Sequence, residues 1–119
     1  WAIFIFYLSA KPGLKVATGY LDFATRKPAH IFVYFVLYFL IYFALLKSFT
    51  QNKFKLFIIT FILTILYGVS DEIHQIYVPL REGKISDIIW DAFGASFAVF
   101  ILWKYFQVLP TTLKNWLKK

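Results

Sequence analysis

Cysteine is absent from the 119 residues, and so is methionine. The first absence excludes disulfides, zinc–thiolate sites and cysteine nucleophiles, and it leaves the redox compartment unread. With Trp1 as the first residue, the apolar run 1–8 begins without a charged flank. The expectation is therefore that a longer first helix is truncated in this chain. A secretory signal is also short and apolar, but its usual basic start is not in view. Acidic residues are scarce too, six against 13 Lys and Arg. The His-Glu-x-x-His zinc pattern, the glycine-rich phosphate loops and the Gly-x-Ser-x-Gly elbow are all missing.

What is present is apolar and aromatic. Hydrophobic residues make up 61% of the chain and aromatics 23%, with a mean hydropathy of +0.67. A soluble domain holds roughly 45–50% apolar residues, and a fold of this size has no interior large enough to hide the excess. One domain over residues 1–119 accounts for the length, because four bilayer passes at about 20 residues each, with their connections, use all of it. The sequence reads as an all-α, polytopic membrane four-helix bundle, with helices over about 1–9, 29–46, 54–77 and 87–109 and a basic tail over 110–119.

The boundaries follow from local chemistry. Residues 9–28 hold Lys11, Pro12, Gly13, Lys15, Gly19, Asp22, Arg26 and Lys27, a loop with room for a short interfacial helix around 14–23. Pro28 stands where a helix can begin, since its missing N–H costs nothing in a first turn. Pro79 ends the third helix at or before Val78, Ser86 is placed to cap the fourth, and Pro110 closes it. The tail, with Leu113, Trp116 and Leu117 on one side, is expected along the headgroups.

The net charge of +7 does not point to nucleic acid. Lys47, Lys53, Lys55, Lys114, Lys118 and Lys119 flank apolar runs, where lysines meet anionic lipid headgroups. Alternating helices give each membrane side six Lys or Arg, Lys104 aside. The side with 47–55 and the tail packs them into about half as many residues, which favours that side as cytoplasmic. The opposite end of the bundle then faces outward.

Five of the six acids fall between Asp71 and Asp91. A charge at mid-membrane costs about 2.5–3.5 kcal/mol on insertion scales, so each demands an account. At about 100° per residue, Asp71, Glu72, His74 and Gln75 share one face of the third helix while Ile73 and Ile76 point away. Gly68, Thr64 and Thr60 continue that face toward the membrane centre as a small, weakly polar groove. Close helix approach also explains such a stripe. Asp87, Asp91, Gly94, Ala95 and Ala98 recur at three- and four-residue steps on the fourth helix. Asp87 and Asp91 lie where the helix dipole favours negative charge, and Asp91, between Trp90 and Phe93, needs a partner, for which Arg81 is the expected one. Lys27, His30, Tyr34, Tyr38 and Tyr42 share a face of the second helix.

Three roles compete for this boundary cluster. As a structural network, Lys27 and Arg81 neutralise the acids and lock the helices. As a binding site, Lys27, His30, Tyr34, Asp71, Glu72, His74, Gln75, Arg81, Asp87 and Asp91 hold a polar or lipid headgroup while apolar helices hold its tail. As a catalytic site, Glu72 or His74 serves as general base, with Arg81 or Lys27 stabilising an oxyanion or phosphate. His74, Asp71, Asp87 and Asp91 offer metal-ligand atoms, but their spacing matches no established signature, so neither metal nor cofactor is expected.

The stretch Ser70-Asp71-Glu72-Ile73-His74-Gln75, then Pro79 and Arg81, then Ser86-Asp87, Asp91 and Gly94, resembles the signature of the VanZ-like family of small bacterial membrane proteins. Lys27-Pro28-Ala29-His30 leading into Tyr34 is similar to a second block of that family, and Tyr7-Leu8-Ser9 with Pro12-Gly13 to the end of its first helix. The chain departs from the family pattern at Leu80, where Gly is usual, at Arg26, where Asp is usual, and near Trp90-Asp91, where Asn is common. The resemblance implies a multi-pass protein of the bacterial cytoplasmic membrane, with a namesake associated with resistance to teicoplanin. It implies as partners membrane lipids and a lipid-linked cell-wall precursor or lipoglycopeptide. The leading expectation is a non-catalytic site binding an amphiphile; the rivals are an enzyme acting on a lipid-linked phosphate or ester and an assembly subunit of a membrane complex.

Overall fold

The computed structural model describes residues 1–11, 20–46, 52–81 and 83–108. The segment 12–19, most of the basic connection after Leu46, Glu82 and the basic tail lie outside the described residues. Within them the chain is all-helical: α1 (Ala2–Ser9), α2 (Tyr20–Leu45), α3 (Lys53–Ile76) and α4 (Ile85–Val108). Three stretches, Arg26–Leu45, Lys53–Ile76 and Ile85–Tyr105, are long and apolar enough to cross a membrane. At 1.5 Å per residue a helix of this length spans the roughly 30 Å hydrocarbon core. The protein is a multi-pass membrane protein.

The distribution of side chains is that of a bundle in lipid. Phe32, Phe93, Phe97 and Trp103 are exposed, whereas Thr60, Thr64, Asp87 and Asp91 are fully buried. Lipid tails solvate Phe and Leu as well as a core does, so the interior is left to small and polar groups. Tyr38, Tyr42, Leu56, Ala95, Ala98 and Leu102 form the lower core, with Phe57 and Phe61 packed on it. Tyr34 and Leu37 make a second cluster with Ile5 of α1. The expected lines of Tyr34, Tyr38 and Tyr42, of Thr60, Thr64 and Gly68, and of Asp87, Asp91, Gly94, Ala95 and Ala98 all face inward.

α2 packs most closely on α4, and Gly94 permits it: a Cβ there would fall onto the backbone carbonyl of Ile31. At Gly68 a Cβ would meet Asp91 Oδ2 at 2.9 Å and the Tyr34 ring at 3.3 Å. The expected groove along these glycines is thus closed by helix contact, the small residues serving to bring backbones together.

Two helix starts differ from expectation. α2 begins at Tyr20, not at Pro28, which lies inside it. A proline there removes the bond to the Ala24 carbonyl and disfavours helix at Lys27, at a cost of about 3 kcal/mol. Ala24 is exposed, and continuing the helix carries Arg26 and Lys27 onto the face that meets α4; tertiary ion pairing overrides the local stop. α4 begins at Ile85, so Ser86 is in its first turn and is not the cap. Its entry is held instead by the Lys84 N–H, which donates to Glu72 Oε2 at 2.8 Å. α3 ends as expected, at Ile76, ahead of Pro79, and its start is capped by Asn52, which accepts from the Lys55 N–H at 3.0 Å.

Candidate functional site

Antiparallel alternation brings the start of α2, the end of α3 and the start of α4 to one end of the bundle. Asp87, fully buried, receives Lys27 Nζ at Oδ1 and Arg26 Nη2 at Oδ2, the latter at 3.1 Å. Asp91, one turn deeper and also fully buried, is hydrogen-bonded through Oδ1 to His30 Nδ1 at 2.8 Å. His30 Nε2 lies 3.8 Å from Asp87 Oδ2, so the imidazole bridges the two acids. Arg26, His30 and Asp87 were not predictable as a set, because Arg26 reaches this face only if the helix runs through Pro28. The one signal for it was its position four residues before His30, a helical step.

The expected Asp91–Arg81 pair does not form. Arg81 turns the other way: Nη2 donates to the Leu8 carbonyl at 2.9 Å and Nε to the Lys11 carbonyl at 3.2 Å. Those carbonyls belong to the last turn of α1 and the residues after it, where the Leu8 carbonyl accepts also from the Lys11 N–H at 3.3 Å and the dipole favours a cation. Leu80, just before, takes a positive φ of 64°, the left-handed conformation that turns the chain toward α1. Burial, with Arg26 nearby, holds the Arg81 guanidinium below its ordinary pKa.

A polar chain links α1 to α3. Ser9 donates to Asp71 Oδ2 at 2.9 Å, and Gln75 Nε2 donates to the same oxygen at 3.0 Å. Gln75 Oε1 in turn faces Arg81 Nη1 at 3.5 Å. Ser9 is a site residue that sequence reasoning did not find, since a serine at the end of an eight-residue helix carries no signal of its own. His74 stands apart: its ring stacks on Phe6 with centroids 4.2 Å apart, and its Nε2 finds no partner among the described residues. It does not reach the acids.

Between α1, α2 and α3 lies a cavity of about 280 Å³. Ile5, Leu8, Ala29 and Val33 form its apolar wall; Arg26, His30, Arg81, Asp71 and Gln75 supply its polar groups. Tyr34, buried at its edge, has a hydroxyl without a hydrogen-bond partner among the described residues. Of the expected site residues, the structure brings His30, Tyr34, Asp71, Gln75 and Arg81 to the cavity, sets Lys27, Glu72, Asp87 and Asp91 in the packing around it, and leaves His74 outside.

The family model for VanZ/LLP1 matches residues 1–109, all four helices included. The chain belongs to the VanZ/LLP1 family. No match is found among curated proteins or among solved structures. Of the residues that suggested the family from sequence, Leu8, Ser9, Ala29, His30, Tyr34, Asp71, Gln75 and Arg81 line the cavity.

Proposed function

We propose that this VanZ/LLP1 protein binds an amphiphilic or lipid-linked molecule of the bacterial envelope and thereby modifies susceptibility to glycopeptide antibiotics such as teicoplanin. The observation that supports this reading is the cavity, whose wall is apolar on one side while Arg26, Arg81 and His30 line the other. Guanidiniums and an imidazole at one pocket offer charge-assisted hydrogen bonds to an anionic headgroup, while an acyl chain continues along Ile5, Leu8 and Val33. The protein sits in the cytoplasmic membrane with this end outward, where lipid-linked cell-wall precursors and lipoglycopeptides are met.

The test is teicoplanin susceptibility in a sensitive host. Wild-type protein is expected to raise the inhibitory concentration several-fold, and Arg81→Ala and Glu72→Gln proteins, shown to be folded in the membrane, to return it to the level of the empty vector. Unchanged resistance in both variants discards the reading.

The pairing of His30 with Asp91 favours a second reading, turnover of a lipid-linked phosphate or ester. A histidine facing a pocket with a carboxylate behind it is the arrangement of a general base and its orienting group. Here the base is His30, not His74 or Glu72, and Arg26 and Arg81 hold the developing negative charge. Release of phosphate or fatty acid from envelope lipid by purified protein, abolished in His30→Gln with ligand binding retained, is the expected result.

A further inference from the structure

Asp87 is neutralised by two cations, but the carboxylates next to it are not. Asp91 has the His30 ring at Oδ1, while Oδ2, fully buried, has no hydrogen-bond partner among the described residues. Glu72 accepts from the Lys84 N–H at Oε2, and at Oε1 its partner among the described residues is Gln75 Nε2, at 3.5 Å. His30, Glu72 and Asp91 each offer a donor atom, and these three atoms lie within 4.8 Å of one another. They come from α2, α3 and α4, one from each long helix. Gly68 stands one turn before Glu72 on the same face of α3, and both Asp91 Oδ2 and the edge of the Tyr34 ring press on it. The Tyr34 hydroxyl, also buried, is likewise unpartnered. An orphaned Asp91 oxygen therefore lies beside an imidazole and a carboxylate, with the ring of a second unpartnered residue, Tyr34, against the same glycine, in a place where an unsatisfied polar atom costs about 1–3 kcal/mol.

We propose that His30, Glu72 and Asp91 form a binding site for one divalent transition-metal cation, with Mn²⁺ or Zn²⁺ as the class that fits. One imidazole and two carboxylates make a mixed nitrogen–oxygen donor set of charge −2, which suits these ions better than Ca²⁺, whose sites are built of oxygen alone. Donors held about 2.0–2.2 Å from a cation stand about 3–4 Å apart, so the widest gap, up to 4.8 Å, closes by roughly an ångström while His30 Nδ1 and Asp91 Oδ1, 2.8 Å apart, open by a few tenths of one, both within the reach of small χ adjustments. The cation takes the position between His30 and Asp91 that a proton otherwise holds, and it cancels charge that the membrane interior does not tolerate. The site stands whether or not the cavity beside it takes an amphiphile.

The experiment uses the full chain in nanodiscs of zwitterionic lipid, titrated with Mn²⁺ and followed by electron paramagnetic resonance. One Mn²⁺ per chain is expected, displaced by Zn²⁺, with nitrogen coupling in the pulsed spectrum. Glu72→Gln and Asp91→Asn are expected to weaken binding at least tenfold, and His30→Gln to remove the nitrogen coupling, while His74→Gln and Glu82→Gln retain wild-type binding and coupling. No more Mn²⁺ than empty nanodiscs hold, bound Mn²⁺ without nitrogen coupling, or coupling that disappears in His74→Gln overturns the site. Where Asp91→Asn does not fold, the wild-type and His74→Gln spectra decide.

Discussion

Asp87 is the residue on which the boundary cluster turns, because Arg26 and Lys27 both spend their charge on it in a fully buried position. Removing one partner of a buried ion pair typically costs about 3–5 kcal/mol. Asp87→Asn keeps the shape and deletes the charge; with the two cations partly exposed, a loss of about 3 kcal/mol is expected in unfolding by SDS from mixed micelles. Leu80 illustrates the opposite case. Its φ of 64° is costly for any side chain, and the side chain itself is exposed, so nothing is lost by deleting it. Leu80→Gly is expected to stabilise by about 0.5–1 kcal/mol in the same assay, the relief of strain less the extra freedom of the unfolded glycine.

Among the elements, α1 depends on its neighbours most. Eight residues are too few for a helix to persist alone, and α1 is fastened by long-range contacts, among them the Ser9 hydrogen bond to Asp71 and the Phe6–His74 stack. Trp1 Nε1 donates to the Val33 carbonyl at 3.0 Å, the Tyr67 hydroxyl to the Ala2 carbonyl at 2.5 Å, and Arg81 to the carbonyls of Leu8 and Lys11. Arg81→Met, which keeps the stem and removes the donors, is expected to speed amide exchange across residues 5–9 at least tenfold while the centre of α3 is unaffected. The α2–α4 contact is governed by one position. Gly94→Ala puts a methyl where the Ile31 carbonyl stands; backbone cannot give way as a side-chain tip can, and a loss of about 2–3 kcal/mol is expected by SDS titration.

At the scale of the molecule, polar residues converge at one end of a bundle that shows aromatic and aliphatic side chains to lipid. The native chain has no cysteine, so a single introduced thiol reports topology without background. Leu80→Cys, on the exposed turn between α3 and α4, is expected to react with a membrane-impermeant maleimide in intact cells, and Lys53→Cys, at the other end of α3, only after permeabilisation. The reverse pattern places the cluster inside and removes the route by which an external lipoglycopeptide reaches it.

Periodicity within single helices was legible before any coordinates. Composition determined a membrane bundle, and three- and four-residue steps determined which face of each long helix turns inward, because both follow from the geometry of one helix and the cost of polar groups in lipid. Tertiary structure alone decided which polar groups meet. That Asp91 takes His30 and leaves Arg81 to α1, that Arg26 joins Lys27 on Asp87, and that His74 turns to Phe6 all depend on how helices rotate and cross. Such choices join residues 61 to 73 positions apart in the chain, and no local spacing encodes them.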